Sequence, residues 1–308
     1  MVFDRSILLS ILVCIALISG CSRTTNTGQL VSETEPPEIA ALRSDIKKIE
    51  PFFKTMGIPG QSDWLWRFKE PGQTFDDYIT SSPTLPTDER STIYVQPIGK
   101  FNTQQSQIIK TTSEYMEAFF GLPVKLLDTR PPIAKLEEPD QRMIDYPQHR
   151  QLRSGYFLES VLPPLLPKDA AALIAFTEED LYPDASMYFV FGQASLENRV
   201  GVWSLWRLDD QADFDTFLRR TMKIAVHETG HMFSMRHCTK YECVMSGTNH
   251  LGETDRRPID ACPECMAKIC WMNKEKPLDR YKRLVAFSKK YRMSDEALDF
   301  EKKSSAVN

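Results

Sequence analysis

His227-Glu228-Thr229-Gly230-His231-Met232-Phe233-Ser234-Met235-Arg236-His237 is the stretch on which the fold turns. Residues four apart stand one above the other on an α-helix, so the imidazoles of His227 and His231 can reach one metal ion. Glu228, one residue round from His227, can reach a water on that ion and act as general base. His237 follows His231 by six residues, and a straight helix would carry it away, so the chain must turn between the two. Three of the five histidines in the chain fall in this one register. Three imidazoles with an open fourth position form a catalytic zinc ligand set.

Upstream, Phe214, Phe217, Leu218, Met222 and Ala225 recur at helical spacing and predict a helix over about Phe214–Met235. At about 100° per residue His227 and His231 fall opposite that apolar stripe. A helix buried by one face and presenting histidines on the other suits the wall of a cleft. Further back, Ser91–Ile98 reads as a first strand, and Asn102 caps a helix over about 103–120 that Gly121 ends. Val124–Leu127 reads as a second strand and 150–162 as a helix stopped by Pro163-Pro164. Leu173–Thr177, Met187–Phe191 and Arg199–Leu208 are three more strands. This order is that of an α/β or α+β domain.

Downstream, Cys238, Cys243, Cys262, Cys265 and Cys270 crowd into 33 residues, and no cysteine lies between 22 and 237. A chain-wide disulfide framework is therefore excluded. The spacing C-x4-C-x18-C-x2-C over 238–265 suits a closed tetrahedral structural zinc site. Two short-range disulfides are the alternative. A second zinc there would brace His237 through the backbone it shares with Cys238, making two zinc ions per chain.

The remaining chain sets the context. Hydrophobic residues make up 42% and charged residues 26%, an ordinary globular balance, and a net charge of −4 offers no basic footprint for nucleic acid. Arg5, the apolar run Ile7–Ile18 and Ser19-Gly20-Cys21 read as a secretory leader, the alternatives being an uncleaved anchor or a plain secretory signal with an incidental Cys21. Leu17-Ile18-Ser19-Gly20-Cys21 resembles a bacterial lipobox, which implies that Cys21 is acylated and that the protein is anchored to the cell-envelope membrane, facing the periplasm or exterior. Residues 22–38 read as a flexible tether, 39–90 as an irregular N-terminal lobe, 91–295 as the catalytic domain and 296–308 as a C-terminal tail. The aromatic rings of Trp203 and Trp206 read as packing, His250 as a surface loop residue and the Lys/Arg-rich helix after Pro277 as a solvated face.

Taken together, His227-Glu228-x-x-His231-x5-His237-Cys238-x4-Cys243-x-Met245 and Cys262-Pro263-x-Cys265 resemble the archaemetzincins, a family of the metzincin zinc peptidases. Pro167-Lys168-Asp169-Ala170, Asp180-Leu181-Tyr182-Pro183, Phe189–Ser195 and Arg199–Leu205 look similar too, and place the chain near the longer, eukaryote-type branch. The likeness covers roughly residues 50–290. It implies a twisted mixed sheet over the active-site helix, with Arg199–Leu208 as the edge strand above the cleft. It implies hydrolysis of peptide or protein substrates by a metal-activated water, with Glu228 as base and Met245 beneath the metal, unless Met245 is an ordinary core residue. The protein is expected to act as a monomer. Metzincins carry glycine three residues after the second histidine; Ser234 stands there and is expected to adopt φ > 0, at about 1–2 kcal/mol. The rival functions are a catalytically silent zinc-binding module and a zinc amidohydrolase acting on a non-peptide amide.

Overall fold

The structure is a computed structural model that describes residues 35–308. The leader, Cys21 and most of the tether lie outside the described residues. In chain order the elements are α1 (Pro37–Ile49), α2 (Trp64–Arg67), α3 (Phe75–Thr80), β1 (Thr92–Ile98), α4 (Thr103–Phe120) and β2 (Val124–Leu126). Then come β3 (Gln141–Asp145), β4 (Gln148–Arg153), α5 (Ser154–Tyr156, continued by a π-turn over Phe157–Val161), β5 (Ala170–Thr177) and β6 (Asp180–Tyr182). β7 (Gly192–Ser195), β8 (Val200–Ser204), α6 (Phe214–Met232), α7 (Leu251–Arg256), α8 (Pro263–Asn273), α9 (Pro277–Lys290) and α10 (Ser294–Ala306) complete the chain.

The main sheet has the order β2-β1-β5-β8-β7, parallel except for β7, which runs antiparallel to β8. Both of its faces are covered, which explains why β5 is a near-continuous apolar run buried throughout. Alternate residues still separate the two sides. Ile93, Val95, Ile174, Phe176 and Trp203 join the larger core with Met222 and Val226 of α6. Tyr94, Leu173, Ala175, Val200 and Val202 join the smaller core with Phe157 and Leu162. A second sheet, β3-β4-β6, stands apart from the first.

Two of the expected elements differ. Residues 150–153, expected at the start of a helix, belong to β4, because its inward side chains are polar. His149 Nε2 donates to Asp180 Oδ2 at 2.9 Å and Gln151 Nε2 to the same oxygen at 2.7 Å, so no apolar alternation marks the strand. Met187–Phe191 is not a strand. Arg142 Nη2 donates to the Tyr188 carbonyl at 2.8 Å and Gln151 Nε2 to the same carbonyl at 2.9 Å, occupying an acceptor that a ladder would need. The edge strand is also displaced. β8, expected at the edge, is interior, and β7 is the edge.

Residues 36–308 form one compact unit. Lys54–Met56 pairs with the chain at 240–242, through Met56 N to Lys240 O (2.9 Å) and Glu242 N to Lys54 O (2.9 Å), so residues 39–90 are woven into the same body. Most of the expected tail, residues 296–306, lies in α10, with Phe300 and Lys303 buried. Lys303 Nζ and Arg280 Nη1 each donate to buried Asp260 at 3.0 Å. Among the described residues no helix is long and apolar enough to cross a membrane.

Candidate active site

α6 begins at Asp213, whose carboxylate accepts from Thr216 N at 2.8 Å. It buries Phe217, Met222, Ala225 and Val226, leaving Phe214 half exposed at its start. His227 and Glu228 line an open cavity of about 650 Å³ with His237. The helix stops in a Schellman turn. Ser234 has φ +64°, its N–H donates to His231 O (2.8 Å), and Met235 N donates to Gly230 O (3.0 Å). The left-handed residue expected at Ser234 is therefore present. Its hydroxyl accepts from Thr84 N at 2.9 Å, a tie that glycine cannot make. Ser234→Gly should thus lie within about 0.5 kcal/mol of wild type, relief of strain offsetting the lost bond. Ser234→Ala keeps the strain and should lose about 1 kcal/mol. Denaturant unfolding of both variants checks the pair, and equal losses would show that the backbone strain is negligible.

Each imidazole is oriented through its Nδ1. His227 Nδ1 donates to Val244 O at 2.8 Å, and His231 Nδ1 to Met235 O at 2.6 Å. His237 Nδ1 donates to Glu70, 2.8 Å from Oε2 and 3.0 Å from Oε1. All three acceptors are oxygens, so the protons sit on Nδ1 and the three Nε2 lone pairs are free. The Nε2 atoms of His227 and His231 lie 3.1 Å apart, lone pair to lone pair, which repels unless a cation is shared. The ligand atoms of the three histidines all lie within 4.8 Å of one another, and the set can hold a metal ion. Burial first, then the charges of His231 and His237, holds His227 well below its usual range. Burial likewise lowers His237, against the pull of Glu70. Neutral imidazoles are what a metal binds.

Glu228 lies between α6 and the edge strand, its Cγ 3.4 Å from where a Cβ on Gly192 would stand. Burial raises its carboxyl above the ordinary range, and His231 opposes the shift. Met245 is fully buried under the helix. A Cβ at Gly230 would come within 2.7 Å of its Sδ, so this contact requires glycine.

The thiols of Cys238, Cys243, Cys262 and Cys265 are free and buried, and all four sulphurs lie within 4.8 Å of one another. A tetrahedral zinc with Zn–S of about 2.3 Å sets sulphurs about 3.8 Å apart, so the cluster fits one ion. Cys243 Sγ accepts from Cys262 N at 3.2 Å and from Met245 N at 3.4 Å. Hydrogen bonds from Cys243, Cys262 and Cys265 hold the Cys238 thiol far below its usual value, while burial pushes Cys243 and Cys262 up. The two clusters share one short segment. Val244 O holds His227, and Met245 O accepts from Cys238 N at 2.8 Å.

The remaining candidates separate cleanly. Trp203 is buried, whereas Trp206 is 45% exposed and stacks on His149 at 4.8 Å. His250 caps α7, accepting from Glu253 N at 3.1 Å. With Asp63 and Glu253 it forms a third cluster of possible ligands, but Arg256, Arg257 and backbone N–H groups already occupy those carboxylates.

Glu70 was not legible, since 167 positions separate it from His237. The Pro71-Gly72 pair after it was the available signal. Gly72 has φ +76°, and a Cβ there would meet Thr239 Oγ1 at 2.3 Å. Beside it, Gln73 Oε1 accepts from Arg236 N (3.0 Å) and Gln73 Nε2 donates to Ser234 O (3.2 Å), clasping the turn that carries His237.

The profile of Peptidase family M54 matches residues 169–270, which span all three clustered histidines and all four clustered cysteines. Archaemetzincin-2 of Rattus norvegicus is 33% identical over 294 residues, covering 83% of this chain and 81% of that protein. The chain belongs to the archaemetzincin family. The archaemetzincin of Thermococcus kodakarensis is 31% identical over 58% of this chain and 94% of its own length. The crystal structure of the Methanopyrus kandleri archaemetzincin superposes with a TM-score of 0.50 at 27% identity, covering 62% of this chain and 99% of that one. This archaemetzincin is accordingly a zinc metallopeptidase of mixed α/β fold, acting on peptide or protein substrates.

Proposed function

We propose that His227, His231 and His237 hold the catalytic zinc, that Glu228 is the general base of peptide hydrolysis, and that Cys238, Cys243, Cys262 and Cys265 hold a second, structural zinc. The observation that carries this reading is the convergence of three free Nε2 atoms beside a carboxylate in an open cleft. Bound at the histidines, zinc supplies a Lewis acid that polarises the scissile carbonyl and acidifies a water. The outer edge of β7 offers backbone groups for pairing with an extended peptide, which orients the scissile bond over Glu228. A Glu228 carboxylate oxygen takes the proton of the attacking water and later delivers it to the leaving amine nitrogen.

A peptide-library digest tests the reading. Cleavage should cease with a chelator and return with zinc; cleavage indifferent to the chelator would overturn it. Glu70 acts as a positioning residue, fixing the tautomer and direction of His237. Glu70→Ala should weaken zinc binding by about 10–100-fold, and Glu70→Gln, which keeps an acceptor, by less. Competition against a chromogenic chelator reads both, and unchanged affinity in Glu70→Ala would remove Glu70 from this role.

A further inference from the structure

One turn before His227, on the same face of α6, stands a lysine. Lys223 is 6% exposed and lines the cavity that holds His227 and Glu228. Its Nζ donates to the carbonyls of Thr254 (2.9 Å) and Asp255 (3.2 Å). An ammonium has three protons to donate, and the third has no partner among the described residues. Lys223 pairs with no carboxylate among the described residues. Burial lowers it to about 8, which leaves it charged at neutral pH. Burying an unpaired ammonium is costly, and an apolar side chain at this position would avoid that cost.

The same cavity has a second cation on its wall. Arg257 is 8% exposed, and its Nη2 donates to Glu253 Oε1 at 3.0 Å, but its Nε is buried with no acceptor. Arg67 on α2 adds a third cation at the exposed rim. Arg257 is paired with Glu253 just behind the wall, so the lining leaves Lys223 and the exposed Arg67 against one carboxylate, Glu228, which the proposed chemistry already uses. A pocket with this charge balance and with buried donors left over is built for an anion.

We propose that this pocket takes a carboxylate of the substrate residue next to the scissile bond, with Lys223 as the specificity-determining contact and Arg257 supporting it. The inference rests on the catalytic reading of the histidines and Glu228. Its ligand chemistry, a carboxylate, has two sources: an acidic side chain and a free C-terminus. A site built to bond a substrate group discriminates strongly against an analogue lacking it, because its own polar groups are then left unpaired.

The test uses the zinc-loaded chain and matched peptides that differ only by Glu or Gln on either side of the cleaved bond, each with a free or an amidated C-terminus. The expected result is a preference of at least about tenfold in kcat/KM for the carboxylate peptide. A Glu-over-Gln preference assigns the side chain as source, and a preference for the free over the amidated C-terminus assigns the terminus. Lys223→Met should collapse the preference to within about twofold with zinc content retained, and Lys223→Arg should keep it. Equal kcat/KM across all pairs in the wild type, or a preference that persists in Lys223→Met, overturns the proposal. Calorimetric binding of glutamic acid and glutamine hydroxamates gives a second reading without turnover. Tighter binding of the glutamyl compound by at least about tenfold supports the pocket, and equal binding overturns it. If no peptide is cleaved, the peptidase chemistry fails while the hydroxamate pair still decides the pocket.

Discussion

Glu228→Gln should retain its zinc and its fold and lose at least about 10²–10⁴-fold in peptide turnover. The carboxylate is not among the three side chains whose Nε2 atoms converge, so exchanging it for an amide of nearly equal shape leaves the metal set untouched. What it removes is a proton acceptor beside the attacking water, because a neutral amide oxygen does not hold a proton at working pH. His231→Ala separates the two duties. It leaves two imidazoles, too few to hold zinc tightly at an open site, and removes the Nδ1–H donor of the Met235 carbonyl. Elemental analysis together with a peptide digest distinguishes the variants. Near-normal hydrolysis by Glu228→Gln would sink the general-base assignment. If neither wild type nor variant cleaved any peptide in a broad library, a silent zinc-binding module would become the better reading.

Legibility in this chain followed how locally each feature is encoded. α4 was readable to the residue because its signals lie inside it: Asn102 and Gln105 form a reciprocal capping box, and Gly121 ends the helix at φ +69°. The histidine register on α6 was readable for the same reason, whereas the left-handed Ser234 was expected from the resemblance, because metzincins carry glycine at that position. β4 was not, because its inward residues are the polar His149 and Gln151, matched to a buried Asp180 that lies about thirty positions away. The edge strand was misplaced because sheet order is a property of pairing, and β7 with its short Gly-Gln-Ala-Ser run carries no apolar signal. α10 looked like a tail because it is polar, yet Lys303 supplies half of the charge that satisfies Asp260. Glu70 belongs to the same class. Its meaning is a contact across 167 positions, and only the glycine that permits the close approach hinted at it.

Cys243→Ser should remove one of two zinc ions and destabilise the domain by about 5 kcal/mol or more, since a site absent from the unfolded chain contributes its binding energy to folding. Cys243 is the most deeply tied of the four. It is fully buried, and its sulphur receives the N–H groups of both Met245 and Cys262. A serine oxygen is shorter, harder and a poor zinc ligand beside three thiolates. The damage would not stay local. The segment that follows Cys243 places Val244 O on His227 and Met245 O on Cys238 N, and Cys238 is bonded to His237. Loss of the structural ion should therefore also weaken the catalytic one, by about 10–100-fold if it acts as the outer support of two histidine ligands. Zinc stoichiometry, thiol titration and denaturant unfolding on the same sample decide the matter. One zinc in the wild type, with four cysteines unreactive until a reductant is added, would replace the knuckle by two disulfides. Two zincs in the wild type and unchanged catalytic affinity in Cys243→Ser would keep the knuckle but uncouple it from the active site.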